Sequence, residues 1–110
     1  MEILFRRERL RKACESERRL TRDYGRPCAK KIMTRLADLR AAQNLGEMRL
    51  LPGNCHELTA DRKGQLSIEL ADGKRLIFEP TDDPPPLDEG GGLDWAETRS
   101  INVVEIVDYH

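Results

Sequence analysis

Aromatic residues, histidine and long apolar segments are scarce in this chain of 110 residues. Aromatic side chains make up 5% of the sequence, which has one tryptophan and two histidines. No apolar run approaches the ~20 residues that span a bilayer, and the opening MEILF is too short for a signal peptide. We therefore expect a cytoplasmic protein that does not interact with a membrane.

Cysteine is also sparse, with Cys14, Cys28 and Cys55 as its three occurrences. An odd number of cysteines without a secretion signal argues against a disulfide framework. None of them belongs to a CxxC pair, and structural zinc sites need two close pairs of ligands. We expect neither a metal site nor a cofactor.

The net charge of −1 hides a difference between the two halves of the chain. Residues 1–50 carry 14 Lys and Arg against 7 Asp and Glu, whereas residues 51–110 carry 5 against 13. The halves therefore have net charges of +7 and −8. A basic half can bind a polyanion such as nucleic acid, or it can be an ordinary solvated helical surface. Charge alone leaves both interpretations open.

The order of hydrophobic periodicities predicts one α+β domain over residues 1–110. A short strand is expected at residues 3–5, and helical spacing runs from Arg6 to about Tyr24. A second helix has an apolar stripe that includes Met33 and excludes Arg35. The period then changes to two, which predicts strands near residues 56–58, 66–70, 74–79 and 101–110. The predicted fold is an N-terminal strand and a helical hairpin packed on a mostly antiparallel sheet.

Two local signals describe the connections within this sheet. Asp72-Gly73 predicts a hairpin with a two-residue loop. Residues 80–99 form an acidic loop whose prolines and glycines disfavour regular structure. Trp95, with Leu93 and Asp94, is expected to pin this loop onto the body of the domain.

Several segments, in this order, resemble the HigB-type toxins of the RelE/ParE superfamily. The likeness rests on the arginine-rich helices, on LPGNCHEL at 51–58, on DRKGQLS at 61–67, on RLIF at 75–78 and on DYH at 108–110. It implies a RelE-like fold and a toxin that enters the ribosome and cuts mRNA. It also implies a helix-turn-helix antitoxin as partner. The acidic loop and the pI of 6.1 depart from compact, basic members of that superfamily.

Metal-free RNA cleavage uses the 2′-hydroxyl as nucleophile, so it needs two proton transfers and a cation at the phosphate. Histidine suits the proton transfers, because its pKa lies near neutrality, and arginine suits the phosphate. His56 and His110 are the two histidines, and we expect them to share the acid and base roles in an order that the sequence leaves open. Arg75 is expected to bind the scissile phosphate, and Arg62 and Lys63 to contact the RNA backbone.

The other catalytic candidates follow the last predicted strand. Asp108 is expected to orient or charge a histidine, and Tyr109 to stack on a base or to aid proton transfer. Strand alternation predicts that Asp108 and His110 share one face. Purely structural roles are also open: His56 could hydrogen-bond a loop carbonyl, and Arg75 could pair with a glutamate across strands.

Two other functions compete with the endonuclease. A toxin of the same fold could poison a protein target such as DNA gyrase without catalysis. The chain could also be an inactive antitoxin-binding partner. The two histidines favour the nuclease, because a poison needs no proton shuttle.

Overall fold

A computed structural model describes residues 1–108 and places its helices on one side of a five-stranded sheet. This architecture confirms the predicted α+β class. The strands and helices have the following bounds: β1 (Glu2–Phe5), α1 (Glu8–Cys14), α2 (Glu17–Tyr24), α3 (Arg26–Ala41), β2 (His56–Glu57), β3 (Leu66–Glu69), β4 (Lys74–Pro80) and β5 (Ser100–Asp108).

The sheet has the strand order β1-β5-β4-β3-β2. β1 pairs with β5 in parallel, and the other three neighbouring pairs are antiparallel. β5 lies between β1 and β4, which agrees with the interior position that its apolar residues on both faces predict. β2 forms one edge of the sheet.

The N-terminal helical region differs from its prediction. The single helix expected up to Tyr24 is two helices, because the chain is interrupted at Glu15 and Ser16. The Ser16 hydroxyl accepts a hydrogen bond from the Arg19 N–H at 3.2 Å, and it thereby caps α2. None of the helices within residues 1–108 combines the length and the apolar character needed to cross a membrane.

The core fills the space between the helices and the sheet. Arg35 departs from the predicted stripe, because only 7% of this residue is exposed and its Nε donates to the Glu69 carbonyl at 3.0 Å. Met33, which the prediction placed in the stripe, is 40% exposed. The core includes Leu20, Ile32, Leu36 and Leu39 from the helices and Leu66, Ile68, Leu76, Phe78, Ile101 and Val103 from the sheet.

The acidic loop is anchored at Trp95, as predicted. The Trp95 ring is buried, its Nε1 donates to the Glu57 carboxylate at 3.1 Å, and the Arg49 guanidinium lies 3.9 Å from the ring centroid. Further along the loop, the Asp88 carboxylate accepts from the backbone N–H groups of Gly90 and Gly92. The loop therefore has internal order despite its composition.

Candidate functional site

The sheet face turned away from the helices gathers three of the seven predicted site residues, which are His56, Arg62 and Arg75. Because side chains alternate along a strand, the residues between the core positions of β3 and β4 point to this opposite face. We call it the outer face and define it by His56, Ser67, Glu69, Arg75, Ile77, Glu105 and Val107.

One row of the outer face crosses four strands. His56 is opposite Ser67, Ser67 is opposite Ile77, and Ile77 is opposite Glu105. Residues that are directly opposite each other in antiparallel strands have side chains on the same face. The row therefore carries an imidazole at one end and a carboxylate at the other.

Arg75 belongs to the next row, between Glu69 and Val107. It lies two strands and two residues from His56. With strands ~4.8 Å apart and a rise of ~3.4 Å per residue, the two Cα atoms are about 12 Å apart. Long side chains can bridge such a separation around one phosphodiester, so two of the predicted catalytic residues can act on the same ligand.

His56 has a defined hydrogen bond within its own segment. Its Nδ1 lies 2.8 Å from the Asn54 carbonyl oxygen. A carbonyl only accepts, so this contact assigns the hydrogen to Nδ1. The Nε2 atom is then the position that gains or loses a proton. The structural role suggested for His56, a hydrogen bond to a loop carbonyl, is therefore present. The same hydrogen bond selects the tautomer that a role in proton transfer would use.

Arg62 reaches the outer face from the turn between β2 and β3. Its guanidinium donates to Gln65 at 2.9 Å and to Glu105 at 3.3 Å. Glu105 is on β5, so the Arg62 side chain extends across the row that contains Ser67 and Ile77. Both of those residues are fully buried although they face away from the helices. Within residues 1–108, the buried Ser67 hydroxyl has no hydrogen-bond partner.

Each arginine of the outer face is close to a glutamate. The Arg75 guanidinium lies 3.7 Å from the Glu69 carboxylate, and Arg62 is paired with Glu105. The sequence suggested the first of these pairs as the structural role for Arg75. Sequence reasoning did not single out Glu105, because strict alternation would have put it on the same face as the core residue Val103. It lies on the outer face because the register of β4 and β5 shifts between Ile77 and Phe78.

Two other candidates lie away from the outer face. Asp108 is opposite Lys74, and both alternate with outer-face residues, so they are on the helix side of the sheet. Lys63 lines a cleft beside the acidic loop. The structure therefore brings His56, Arg75 and Arg62 together and does not bring Asp108 or Lys63 to them. Tyr109 and His110 lie outside the described residues.

A basic depression lies between α1 and α2. It has a volume of about 410 Å³ and is lined mainly by Arg9, Arg19, Arg22, Asp23 and Tyr24. The hydrogen bond from Arg22 lowers the pKa of Asp23, and the nearby Arg19 and Arg9 act in the same direction. Burial raises the pKa of Tyr24, which keeps its phenol neutral. Three guanidinium groups beside an aromatic ring suit a phosphate and a stacked base.

Comparisons with known proteins were made for both the sequence and the fold. No protein-family model matches the sequence, and no curated protein matches it significantly. Among solved structures, the chain is similar to the YoeB/ParE toxin from Agrobacterium tumefaciens, with a TM-score of 0.58 and 10% sequence identity over 100% of both chains. The chain therefore has a fold of the RelE/ParE type, in which helices pack on a mostly antiparallel five-stranded sheet.

Proposed function

We propose that this protein is the toxin of a type II toxin–antitoxin system and that it cleaves mRNA on the ribosome. The observation that supports the proposal best is the placement of His56 and Arg75 on one face of a fold shared with a YoeB/ParE toxin. Its site of action would be the cytoplasm, where ribosomes and mRNA meet. Its partner would be a helix-turn-helix antitoxin.

The proposed reaction needs no metal. Arg75 binds the scissile phosphate through its planar set of N–H donors and stabilises the charge that develops on the phosphorane. His56 exchanges a proton at Nε2, either with the attacking 2′-hydroxyl or with the leaving 5′-oxygen. His110 takes the other proton transfer, and Tyr109 stacks on a base or aids that transfer. Asp108 orients or charges a histidine, which is the role that the sequence suggests for it.

RNA has to compete with carboxylates for the arginines. Arg62 and Arg75 are each paired with a glutamate, so a phosphate that binds to either guanidinium displaces an existing ion pair. Such partly exposed pairs contribute only about 0.2–1 kcal/mol, so the exchange costs little. The arginines of the basic depression between α1 and α2 would add contacts to the RNA backbone.

The same ion pairs favour a second candidate function. An outer face whose arginines are balanced by glutamates is close to neutral, which suits a protein surface better than a polyanion. The alternative is a toxin without catalysis that poisons a protein target such as DNA gyrase. An inactive antitoxin-binding partner is the third candidate.

Expression and cleavage assays distinguish these functions. The gene is induced alone and together with its neighbouring gene, and growth is followed. Arrest that the neighbour relieves supports a toxin, and the absence of arrest contradicts it. Purified protein is then added to ribosomes stalled on a defined mRNA, and cuts are mapped by primer extension.

The nuclease proposal predicts cuts within the mRNA, which His56→Ala and Arg75→Ala abolish. The matched control is Arg26→Ala, which removes an exposed guanidinium at the start of α3, away from the outer face. Inhibition of gyrase supercoiling without mRNA cuts would instead identify the poison.

A further inference from the structure

A cleft of about 630 Å³ separates the acidic loop from the turn between β2 and β3. It is distinct from the outer face, because Leu66, one of its lining residues, points to the helix side of the sheet. Most of its lining is apolar. The larger apolar residues are Leu58, Leu66, Pro80, Pro85, Leu87 and Leu93.

The loop side of the cleft is held in place before any ligand binds. Leu87 and Leu93 form an isolated antiparallel bridge, and the turn between them is closed by the Asp88 carboxylate. Trp95 fixes the other end of the loop to Glu57, which itself lines the cleft. A preorganised apolar surface loses little conformational entropy when a ligand binds.

Leu87 is the most exposed of the leucines that line the cleft, with 58% of it accessible to solvent. The loop on this side of the cleft is acidic: residues 81–97 contain six Asp or Glu and no Lys or Arg, and Asp82, Asp83 and Glu89 are exposed on it. The charged residues that line the cleft itself are Glu57 and Lys63. An apolar cleft beside an acidic loop is complementary to a segment that presents apolar side chains together with lysine or arginine.

The opposite wall of the cleft is formed by Glu57 and Leu58, at the end of the edge strand β2. An edge strand presents backbone groups that another extended chain can pair with. Peptides recognised in this way gain affinity from the backbone and specificity from alternate side chains. We therefore expect a bound segment to be extended, with apolar residues that alternate with cationic ones.

We propose that this cleft binds an apolar, lysine- or arginine-rich segment of a partner protein, which is the antitoxin. The identity of that partner rests on the proposed function. Lys63, which lines the cleft, belongs to the turn between β2 and β3. The same turn contains Arg62, whose guanidinium lies on the outer face. A partner segment in the cleft therefore contacts the element that positions one of the proposed RNA-binding arginines.

The experiment uses a fluorescein-labelled peptide of twelve residues in which leucine or valine alternates with lysine. Its affinity for the full-length protein is measured by fluorescence anisotropy. Leu87→Gln removes the exposed apolar group that lines the cleft. Leu50→Gln is the matched control, because Leu50 is 88% exposed and does not line the cleft. A twin peptide with glutamate in place of lysine tests the charge.

We expect saturable binding of the lysine peptide that Leu87→Gln weakens at least tenfold and Leu50→Gln changes less than twofold. The glutamate peptide should not bind. Equal binding by both variants, binding of the glutamate peptide, or no saturable binding would overturn the proposal. A single-stranded RNA of twelve nucleotides is also tested. If it binds Leu87→Gln more weakly than it binds the unaltered protein, the proposal is overturned, because the cleft would then be an RNA site.

A second measurement keeps this result separate from the proposed function. The mRNA cleavage assay is repeated with the Leu87→Gln variant. Because Leu87 lies outside the proposed catalytic face, this variant should cleave mRNA at the same rate as the unaltered protein. Cleavage without peptide binding refutes the cleft proposal alone. Peptide binding without cleavage supports the cleft and refutes the nuclease.

Discussion

Arg75 stands directly opposite Glu69 in the β3–β4 hairpin, with its guanidinium 3.7 Å from the Glu69 carboxylate. The pair is partly exposed, with side-chain exposures of 29% and 46%. Because solvent screens it, the pair adds little to stability, and its main effect is on the electrostatics of the outer face.

Replacement of Glu69 by glutamine should therefore increase RNA affinity. Removing the carboxylate makes Arg75 more available to a phosphate, and we expect the Kd for a single-stranded RNA to fall about three- to tenfold, which corresponds to about 0.7–1.4 kcal/mol. The measurement is fluorescence anisotropy at constant salt. Glu17→Gln, an exposed position on α2, is the control for the change in net charge. An equal gain in both variants would show that only net charge matters.

His56→Ala should reduce mRNA cleavage about 10²–10⁴-fold, the range for loss of a general acid or base. His56→Gln should be equally inactive, because an amide can replace the hydrogen bond to the Asn54 carbonyl but cannot transfer a proton at Nε2. The measurement is the single-turnover cleavage rate on stalled ribosomes. Substantial activity in the glutamine variant would indicate that His56 serves only to hold its loop.

Gly53 and Gly64 offer a matched pair for backbone strain. Both have positive φ, +115° and +93°, so alanine at either position should cost about 1–2 kcal/mol of unfolding free energy. At Gly53 the new Cβ would also lie 2.7 Å from Ile68 Cγ1 and 2.9 Å from Arg35 Nε, whereas nothing lies within 4 Å at Gly64. We expect Gly53→Ala to cost about 1–3 kcal/mol more in urea unfolding. Equal losses would show that the site relaxes around the added methyl group.

Alkaline pH should destabilise the protein through Cys55. Burial raises the pKa of the Cys55 thiol to about 12, above the ~8.5 of an unfolded chain. The folded state therefore keeps a proton that the unfolded state loses. The thiol's contribution to stability is complete below pH ~8.5 and declines by up to about 1.4 kcal/mol per pH unit as the pH rises toward 12.

Cys55→Ser isolates this effect. The urea-unfolding free energy is measured at pH 8 and pH 10 in both proteins. We expect the difference between the two pH values to be about 1–2 kcal/mol smaller in the serine variant, because its hydroxyl does not titrate in this range. An identical difference would show that other groups determine the alkaline loss.

The hairpin between β3 and β4 shows how far sequence reasoning reaches. Asp72 and Gly73 adopt positive φ, as the predicted turn requires, and the Lys74 N–H donates to the Ala71 carbonyl. The Leu70 N–H also donates to the Lys74 carbonyl, so two residues of one strand oppose a single residue of the other. A two-residue loop would have paired Arg75 with Leu70 instead of Glu69. Local turn signals predict the hairpin, whereas the extra residue that sets its register depends on packing.

Other differences have equally local causes. Ser16 is compatible with the interior of a helix and with a cap, so the break between α1 and α2 has no clear signal in the periodicity. Arg35 is expected on the solvent side, since a charged residue is rarely buried without partners. The partners that it has are a backbone carbonyl 34 residues away and the Asp38 carboxylate in its own helix. The parallel pairing of β1 with β5 likewise depends on contacts that span nearly the whole chain.

That parallel pairing has a consequence for how the molecule forms. Ile3 is paired with Ile101, so the first strand has no neighbour in the sheet until almost one hundred further residues have been synthesised. Until then, β1 and β4 lack β5, the strand that lies between them. The apolar side of the helices is therefore only partly covered by the sheet. Completion of the fold during translation therefore has to wait for β5, and a nascent chain that stalls before residue 100 would remain exposed to proteases and chaperones.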